Sequence, residues 1–136
     1  MKSLKKTTAW KWFSLYIKER DNWTCQVCGR KGRGRFMNAG HFIQAFGHNA
    51  VFFDERNVFA ECINDNLWGG GRPEILRELI IKRYGKKAEE ELWKKAREVK
   101  QFTKVELDEI AKIYKKKYED LLKQKGRENK KLWKKK

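Results

Sequence analysis

The first regular pattern of apolar and polar positions lies between residues 8 and 20. Its apolar residues recur at the spacing of one helix face, with a tyrosine beside them: Trp10, Phe13, Ile17 and Tyr16. A threonine at position 7 or 8 stands before the pattern, where its hydroxyl can cap a helix. We therefore expect a short N-terminal helix that packs on the core.

A different pattern covers residues 36 to 58. The apolar runs are short here, Val51-Phe52-Phe53 being the clearest, and Gly40, Gly47 and Asn49 interrupt them. Short apolar runs bounded by turn residues are typical of strands. This segment therefore predicts two short strands.

Three helices are predicted after residue 72. Pro73 at a first helical position and Gly85 just past the last bracket one of them, with apolar residues Ile75, Leu76, Leu79 and Ile80. Residues 86 to 100, rich in Ala, Glu and Lys, predict a second helix, whose apolar residues are Leu92, Trp93, Ala96 and Val99. Both should pack near the core.

The third helix opens at Thr103, because Thr103-x-x-Glu106 is the sequence of a capping box. Its apolar residues lie at helical spacing: Leu107, Ile110, Tyr114 and Leu121. The stripe covers barely two heptads before Lys117 interrupts it, which favours ordinary packing over a dimer seam. For the oligomeric state, a monomer and a homodimer both remain alternatives. The last 14 residues, from Lys123, hold seven Lys, one Arg and one Glu and predict a disordered basic arm of net charge +7.

Composition indicates a polyanionic partner. The chain has 34 Lys and Arg against 18 Asp and Glu, a net charge of +16 on 136 residues, and aromatic residues make up 13% of it. Such a field attracts nucleic acid, and the aromatic rings offer stacking faces. A solvated basic surface is the less favoured alternative. No stretch approaches the ~20 apolar residues of a membrane span, and the lysine-rich N-terminus lacks a signal-peptide core, so we expect a cytoplasmic protein.

Three cysteines and one aspartate form two knuckles. Cys25-x2-Cys28 is the first and Cys62-x2-Asp65 the second, a spacing at which two tight turns can present four ligands tetrahedrally to Zn²⁺. Three cysteines cannot all pair within one chain, and a reducing compartment favours thiolate ligands over disulfides. The sequence therefore predicts a structural zinc site with three thiolates and one carboxylate.

The knuckles enclose a run that resembles a known family. The blocks Asn38-Ala-Gly-His41-Phe-Ile, Gly47-His48, Phe53-Asp-Glu-Arg-Asn57-Val, Glu61-Cys62-x2-Asp65-Asn66 and Gly69-Gly-Gly71 are similar to the lambdoid-phage recombination endonucleases of the NinG (Rap) family, over roughly residues 8 to 85. The family pattern closes on a second C-x2-C, where this chain has Asp65.

The resemblance implies an α+β fold, with a small zinc-stapled ββα-metal (HNH) core flanked by an N-terminal helix and C-terminal helices. Residues 1–85 would form this nuclease core, residues 86–122 a helical extension and residues 123–136 the disordered basic tail. The implied activity is metal-dependent cleavage of DNA, with Mg²⁺ or Mn²⁺ as the catalytic ion in addition to structural zinc.

Site residues follow from the same resemblance. His41 would be the general base, since a histidine near its ordinary pKa accepts a proton at neutral pH. Asn57 would fix the imidazole or the metal-side loop, and Asn66 would be a ligand of the catalytic ion, an oxygen donor that suits a hard cation. The alternative roles are structural: a hydrogen-bonded histidine, a turn asparagine and a helix N-cap. Many HNH enzymes carry Asp or His before the catalytic histidine, but this chain has Gly40, so Asn38 and Asp54 are candidate further ligands.

The predicted DNA contacts are basic residues and one histidine: Arg30, Lys31, Arg33 and Arg35 in a glycine-rich loop, with His48, Arg56, Lys130 and Lys131 elsewhere. The implied substrate is branched recombination DNA, such as junctions or D-loops. An HNH nuclease with another target (homing, nicking or packaging), a non-catalytic zinc-stapled DNA-binding module and an RNA-binding accessory protein are the alternatives.

Overall fold

The fold is α+β, as predicted. The computed structural model describes residues 3–44, 46–68 and 72–134, with side chains for all of these except 67–68 and 127–134. Its main elements are α1 (Thr8–Arg20), β1 (Met37–His41), β2 (Val58–Cys62), α2 (Pro73–Tyr84), α3 (Lys86–Ala96) and α4 (Lys104–Lys134). None of the described helices combines the length and apolar character that a bilayer span needs.

Helix α1 confirms the N-terminal prediction. The Thr7 hydroxyl accepts a hydrogen bond from the Trp10 backbone N–H at 3.2 Å and so caps the helix. Phe13 and Ile17 are completely buried, and they pack against Ala39 of β1 and Val58 of β2. The apolar face of α1 therefore covers one face of the sheet.

Strands β1 and β2 pair antiparallel, with Met37 opposite Cys62 and His41 opposite Val58. Alternation along the strands directs His41 toward α1, and it directs Gly40, Phe59 and Glu61 toward α2 and α3. All five residues of β2 are buried. The connection between the strands runs from residue 42 to residue 57.

The apolar run at residues 51–53 is not a strand, which corrects one expectation. Val51 ends a 3-10 turn (Asn49–Val51), and Phe52 and Phe53 continue the connection. The Asn57 side chain holds this turn by donating a hydrogen bond to the Val51 carbonyl at 3.2 Å. A buried turn has the same apolar content as a short strand, so the run alone could not distinguish them.

Helices α2 and α3 enclose the other face of the sheet. Helix α2 has the predicted ends, with Pro73 in its first turn and Gly85 at φ 95° after its last residue. Helix α3 ends at Ala96 rather than at residue 100, and Val99 is 97% exposed. The helix stops here because the Arg97 and Glu98 N–H groups bond three residues back and close the last turn.

Helix α4 begins with the predicted capping box. Thr103 Oγ1 accepts from the Glu106 N–H, and Glu106 Oε1 accepts from the Thr103 N–H, both at 3.1 Å. The helix returns to α1, where Tyr114 meets Phe13 edge to face at 4.7 Å between ring centroids. This contact agrees with a packing role for the stripe.

The described helix continues to Lys134, where a disordered tail was expected from Lys123. Lysine, glutamate and leucine are good helix formers, so a charged segment can extend an anchored helix. An anchor is present, because Lys125 Nζ donates to the Glu19 carbonyl near the end of α1. The division into a core and a C-terminal extension stays a prediction.

Candidate metal centre and cleft

The first knuckle is a tight turn after α1. The Cys25 N–H donates to the Arg30 carbonyl at 2.8 Å, and the Cys28 N–H points at Cys25 Sγ at 3.5 Å. Gly29 has φ 81°, a left-handed conformation that lets the chain reverse after the second cysteine. The turn therefore directs both sulfurs to one side.

The end of β2 supplies the other two groups. Cys62 is the last residue of the strand, and Asp65 lies in the π-helical turn Asn64–Trp68 that follows. Asp65 Oδ2 lies 3.2 Å from Cys25 Sγ and 3.1 Å from Cys62 Sγ, and the Cys28 and Cys62 sulfurs are 3.7 Å apart. The structure therefore brings all four predicted zinc ligands together.

The four donor atoms lie within 4.8 Å of one another, close enough to share one ion. Burial, with hydrogen bonding to Asp65, raises the pKa of Cys62, while thiol hydrogen bonds from Cys28 and Cys62 lower the pKa of Asp65. A divalent cation replaces such thiol protons, since a coordinated thiol is deprotonated. The cluster could bind a metal such as zinc, and it would tie the first knuckle to the end of β2.

His41 lies at the end of β1 between two aromatic rings. Its imidazole stacks on Trp10 with centroids 5.3 Å apart and also contacts Phe52 at 4.7 Å. The Nε2 atom is 3.1 Å from the Phe52 carbonyl. Because a carbonyl only accepts, Nε2 carries the proton in the neutral ring and Nδ1 keeps its lone pair. Burial, followed by the charge of Lys5, lowers the pKa of His41 to about 4.

Asn57 is completely buried and joins the two ends of the strand connection. Its Oδ1 accepts from the Ile43 N–H at 2.7 Å, and its Nδ2 donates to the carbonyls of Ile43 and Val51. These bonds fix the segment that presents the Phe52 carbonyl to His41. The predicted loop-fixing role of Asn57 is thus compatible with its contacts, although no direct bond to the imidazole is present among them.

A cleft of about 300 Å³ runs beside β1. Its lining combines amides, lysines and one aromatic ring: Lys5, Trp10, Ser14, Lys18, Asn38, Ala39 and Asn66. Asn38 and Asn66, both predicted ligands of a catalytic ion, therefore share one cavity. Burial lowers the pKa of Lys18. His41 is not part of the lining, but it stacks on Trp10, which is.

Glu61 was missed by the sequence analysis as a site residue. It is fully buried, and neither carboxylate oxygen has a hydrogen-bond partner within the described part of the chain. Burial, followed by repulsion from Asp65, raises its pKa to about 8. Glu61 Oε2 occupies the space that a Cβ at Gly40 would fill, and Asn66 Oδ1 lies 3.0 Å from that point. The sequence signal for Glu61 was a single carboxylate within the apolar run that forms β2.

Asp54, the remaining predicted ligand of the catalytic ion, is not among the residues that line the cleft. Asp54 caps a short turn, and it bonds to Arg56 and to Lys95 Nζ at 3.1 Å. Although burial raises it, these hydrogen bonds lower the pKa of Asp54 overall. Arg56 is also paired with Glu91 at 2.7 Å. The structure does not bring Asp54 together with Asn38 and Asn66.

The predicted DNA contacts are dispersed. Four of them are exposed on the loop after the first knuckle: Arg30, Lys31, Arg33 and Arg35. The Arg33 guanidinium also lies 5.0 Å from the Trp23 ring. His48 is half-buried, with Nδ1 3.4 Å from the Ala96 carbonyl. Lys130 and Lys131 fall within α4, but their side chains lie outside the described residues. The DNA role of all these residues stays a prediction.

Fold and site together define a small α+β protein with a Cys₃Asp cluster that could bind a metal, beside a basic cleft. A family model described as the bacteriophage lambda NinG protein matches residues 2–125. The chain therefore belongs to the phage lambda NinG family, and this membership indicates a phage protein connected with recombination. Among curated proteins and solved structures, no significant match was found.

Proposed function

We propose that this protein is a metal-dependent DNA endonuclease of the HNH type that selects branched recombination intermediates. The observation that carries the proposal is the position of His41, which stacks on Trp10 in the wall of a cleft lined by two amides and two lysines. The order strand, strand, helix of β1, β2 and α2 agrees with a ββα-metal core, and the Cys₃Asp cluster lies where a zinc staple would join its ends.

The base in this proposal is Nδ1 of His41. Hydrolysis of a phosphodiester requires a water to lose a proton near the phosphorus, and a neutral imidazole can accept that proton. The Phe52 carbonyl orients the ring through Nε2, and burial keeps the imidazole neutral at pH 7. Asn57 acts as a positioning residue, because it fixes the segment that carries Phe52.

The cleft supplies charge for the phosphate. Lys5 and Lys18 line it from the N-terminal segment and α1, where they can contact non-bridging oxygens. The amide oxygens of Asn38 and Asn66 suit a hard ion such as Mg²⁺ or Mn²⁺, which would supply Lewis-acid stabilisation of the leaving oxygen. The preference for branched DNA rests on family membership.

The experiment is a cleavage assay on linear, nicked and four-way DNA, each with and without Mn²⁺. We expect metal-dependent cleavage that is fastest on four-way DNA. His41→Ala should bind DNA but cut at least ~10²-fold more slowly, as expected for loss of a general base. His48→Ala is the comparison variant, because that ring lies near the Ala96 carbonyl and not in the cleft. As a predicted DNA contact, His48 should affect binding, but its loss should leave the cleavage rate at saturating DNA unchanged. A His41→Ala rate above a tenth of the parent rate would contradict the assignment.

A second candidate function is a non-catalytic DNA-binding module, and one observation favours it. His41 is only 8% exposed and lies between two aromatic rings, as a structural histidine would. Binding of DNA without cleavage in Mg²⁺ or Mn²⁺ would support this alternative. Cleavage that is fastest on linear duplex would instead indicate an HNH nuclease with another target.

A further inference from the structure

The carboxylate of Glu61 needs an explanation. A buried carboxylate is costly unless it is paired, and buried polar groups without partners are uncommon in folded proteins. Glu61 is fully buried, and both its oxygens lack a hydrogen-bond partner among the described residues. By contrast, Glu19 and Asp21, the other buried acidic residues in the described part of the chain, bond to Trp23 and Arg20 respectively.

The carboxylate of Glu61 lies close to the side chain of Asn66. Glu61 Oε2 fills the space above Gly40, and Asn66 Oδ1 lies 3.0 Å from the same point. Asn38 is the register partner of Glu61 across the sheet, and it lines the cleft together with Asn66. A carboxylate oxygen and the Asn66 amide oxygen thus lie close together above Gly40, beside the cleft that Asn38 and Asn66 line. Gly40 permits this arrangement because any side chain there would displace the carboxylate.

We propose that Glu61 and Asn66 bind a divalent cation above Gly40, beside the cleft, with Glu61 supplying from β2 the carboxylate that Gly40 cannot. The assignment of this cation to catalysis rests on the nuclease function proposed above. Binding itself does not, since it follows from these neighbouring oxygens.

The donor chemistry indicates which cation this is. Carboxylate and amide oxygens favour hard ions such as Mg²⁺ and Mn²⁺, whereas the nearby Cys₃Asp cluster offers the softer thiolates that favour zinc. The two neighbouring sites therefore differ in the kind of ion that they prefer. Lys5 and Lys18 line the same cleft and could contact a phosphate bound to such an ion.

The test is a Mn²⁺ titration of the zinc-loaded, full-length protein, followed by the loss of the free Mn²⁺ signal in electron paramagnetic resonance. Glu61→Gln keeps the shape and removes the charge, and it should weaken Mn²⁺ binding at least ~10-fold, because even outer-shell changes cost that much. Mn²⁺ should raise the melting temperature of the parent but not of this variant. Asp54→Asn is the matched control, since Asp54 bonds to Arg56 and Lys95 instead.

A second variant tests the geometry independently of the charge. Gly40→Ala keeps Glu61 but places a methyl group where Oε2 lies, so it should weaken Mn²⁺ binding as Glu61→Gln does. Parent-like binding in both folded variants, or loss of binding in Asp54→Asn alone, overturns the site. If the parent binds Mn²⁺ through Glu61 but cuts no DNA, the cation site stands and the nuclease function fails. If the Glu61→Gln variant binds Mn²⁺ as the parent does and still cuts DNA, the cation site fails and the nuclease function stands.

Discussion

His41 and Glu61 show how burial sets the charge of single residues near the cleft. The two side chains project from opposite faces of the sheet. Burial favours the neutral form of each, so the pKa of the imidazole falls to about 4 and that of the carboxyl rises to about 8. At neutral pH the buried histidine is therefore uncharged, and the carboxyl is largely protonated unless a cation replaces its proton.

The low pKa of His41 predicts a pH dependence of stability. Its folded pKa is below the ordinary value of 6.5, so the unfolded chain binds more protons between pH 6.5 and 4. The contribution of His41 is fully present above pH 6.5 and is lost as the pH falls toward 4. It should amount to about 2 kcal/mol between pH 7 and pH 5. Urea unfolding of the parent and of His41→Gln at both pH values measures it.

The difference between parent and variant isolates this effect. Glu61 has a raised pKa, so its contribution is present at low pH and is lost as the pH rises from 4.5 toward 8. The two residues therefore oppose each other in the parent protein. If His41→Gln has the same pH dependence as the parent, the imidazole is not buried in its neutral form.

At the scale of elements, the Cys₃Asp cluster joins two turns that are distant in the sequence. The first knuckle follows α1, and the second lies between β2 and α2. The first knuckle also contacts β2, because the Gln26 N–H donates to the Ala60 carbonyl at 2.9 Å and Cys25 packs in one apolar cluster with Ala60 and Cys62. A metal ion would add four short bonds at this junction.

This arrangement predicts how single ligands respond to substitution. Structural zinc can supply on the order of 10 kcal/mol of folding free energy, so Cys25→Ser or Cys62→Ser should unfold the core, as should a chelator. Asp65→Cys should keep zinc or bind it more tightly, because it completes a Cys₄ set. Elemental analysis and thermal unfolding with and without chelator measure both effects. A stable parent protein that contains no zinc after purification without chelator would contradict the prediction.

Elements defined by local chemistry were predictable from the sequence. The Thr7 cap, the bracketing of α2 by Pro73 and Gly85 and the capping box at Thr103 all lie where the sequence placed them. The two candidate zinc knuckles also follow from spacing, since each is a tight turn that needs few other contacts. Each cap, helix end and single knuckle depends on residues within about four positions of one another.

Features that depend on distant contacts were not predictable. The second strand was predicted before Val58 but begins there. The apolar run at residues 51–53 lies in a turn instead, which hydrogen bonds from Asn57 to Ile43 and Val51 hold in place. A role for Glu61 is visible only in the structure, because the pairing of β1 with β2 brings its carboxylate against Gly40. Asp54 is less suited to bind a catalytic ion than the sequence indicated, because it forms an ion pair with Lys95, 41 positions away.

The whole molecule carries its charge unevenly, which predicts its binding to DNA. Residues 127–136 hold six basic residues and one acidic residue, a net charge of +5. Truncation after Gly126 removes this charge but keeps the contact between Lys125 and Glu19. The truncated protein should bind DNA more weakly and show a flatter dependence of log affinity on log salt, because fewer counterions are released.

The preference between DNA structures should survive this truncation. Phosphate contacts from a basic helix end do not read shape, whereas the cleft and the knuckles have fixed geometry. Competition between four-way and linear DNA at roughly physiological salt, with full-length and truncated protein, measures the preference. Lys116→Gln in the full-length chain is a control for general charge, since Lys116 pairs with Asp120. Loss of preference on truncation alone would assign shape recognition to the C-terminal end.

The packing of α4 on α1 also determines when the molecule can become complete. Phe13 meets Tyr114, about a hundred positions later in the chain, so the face of α1 that α4 covers stays exposed on a ribosome until α4 has been synthesised. Trp10, Ser14 and Lys18 of α1 form one wall of the cleft. The helix that carries this wall therefore reaches its final packing only after α4 has folded against it.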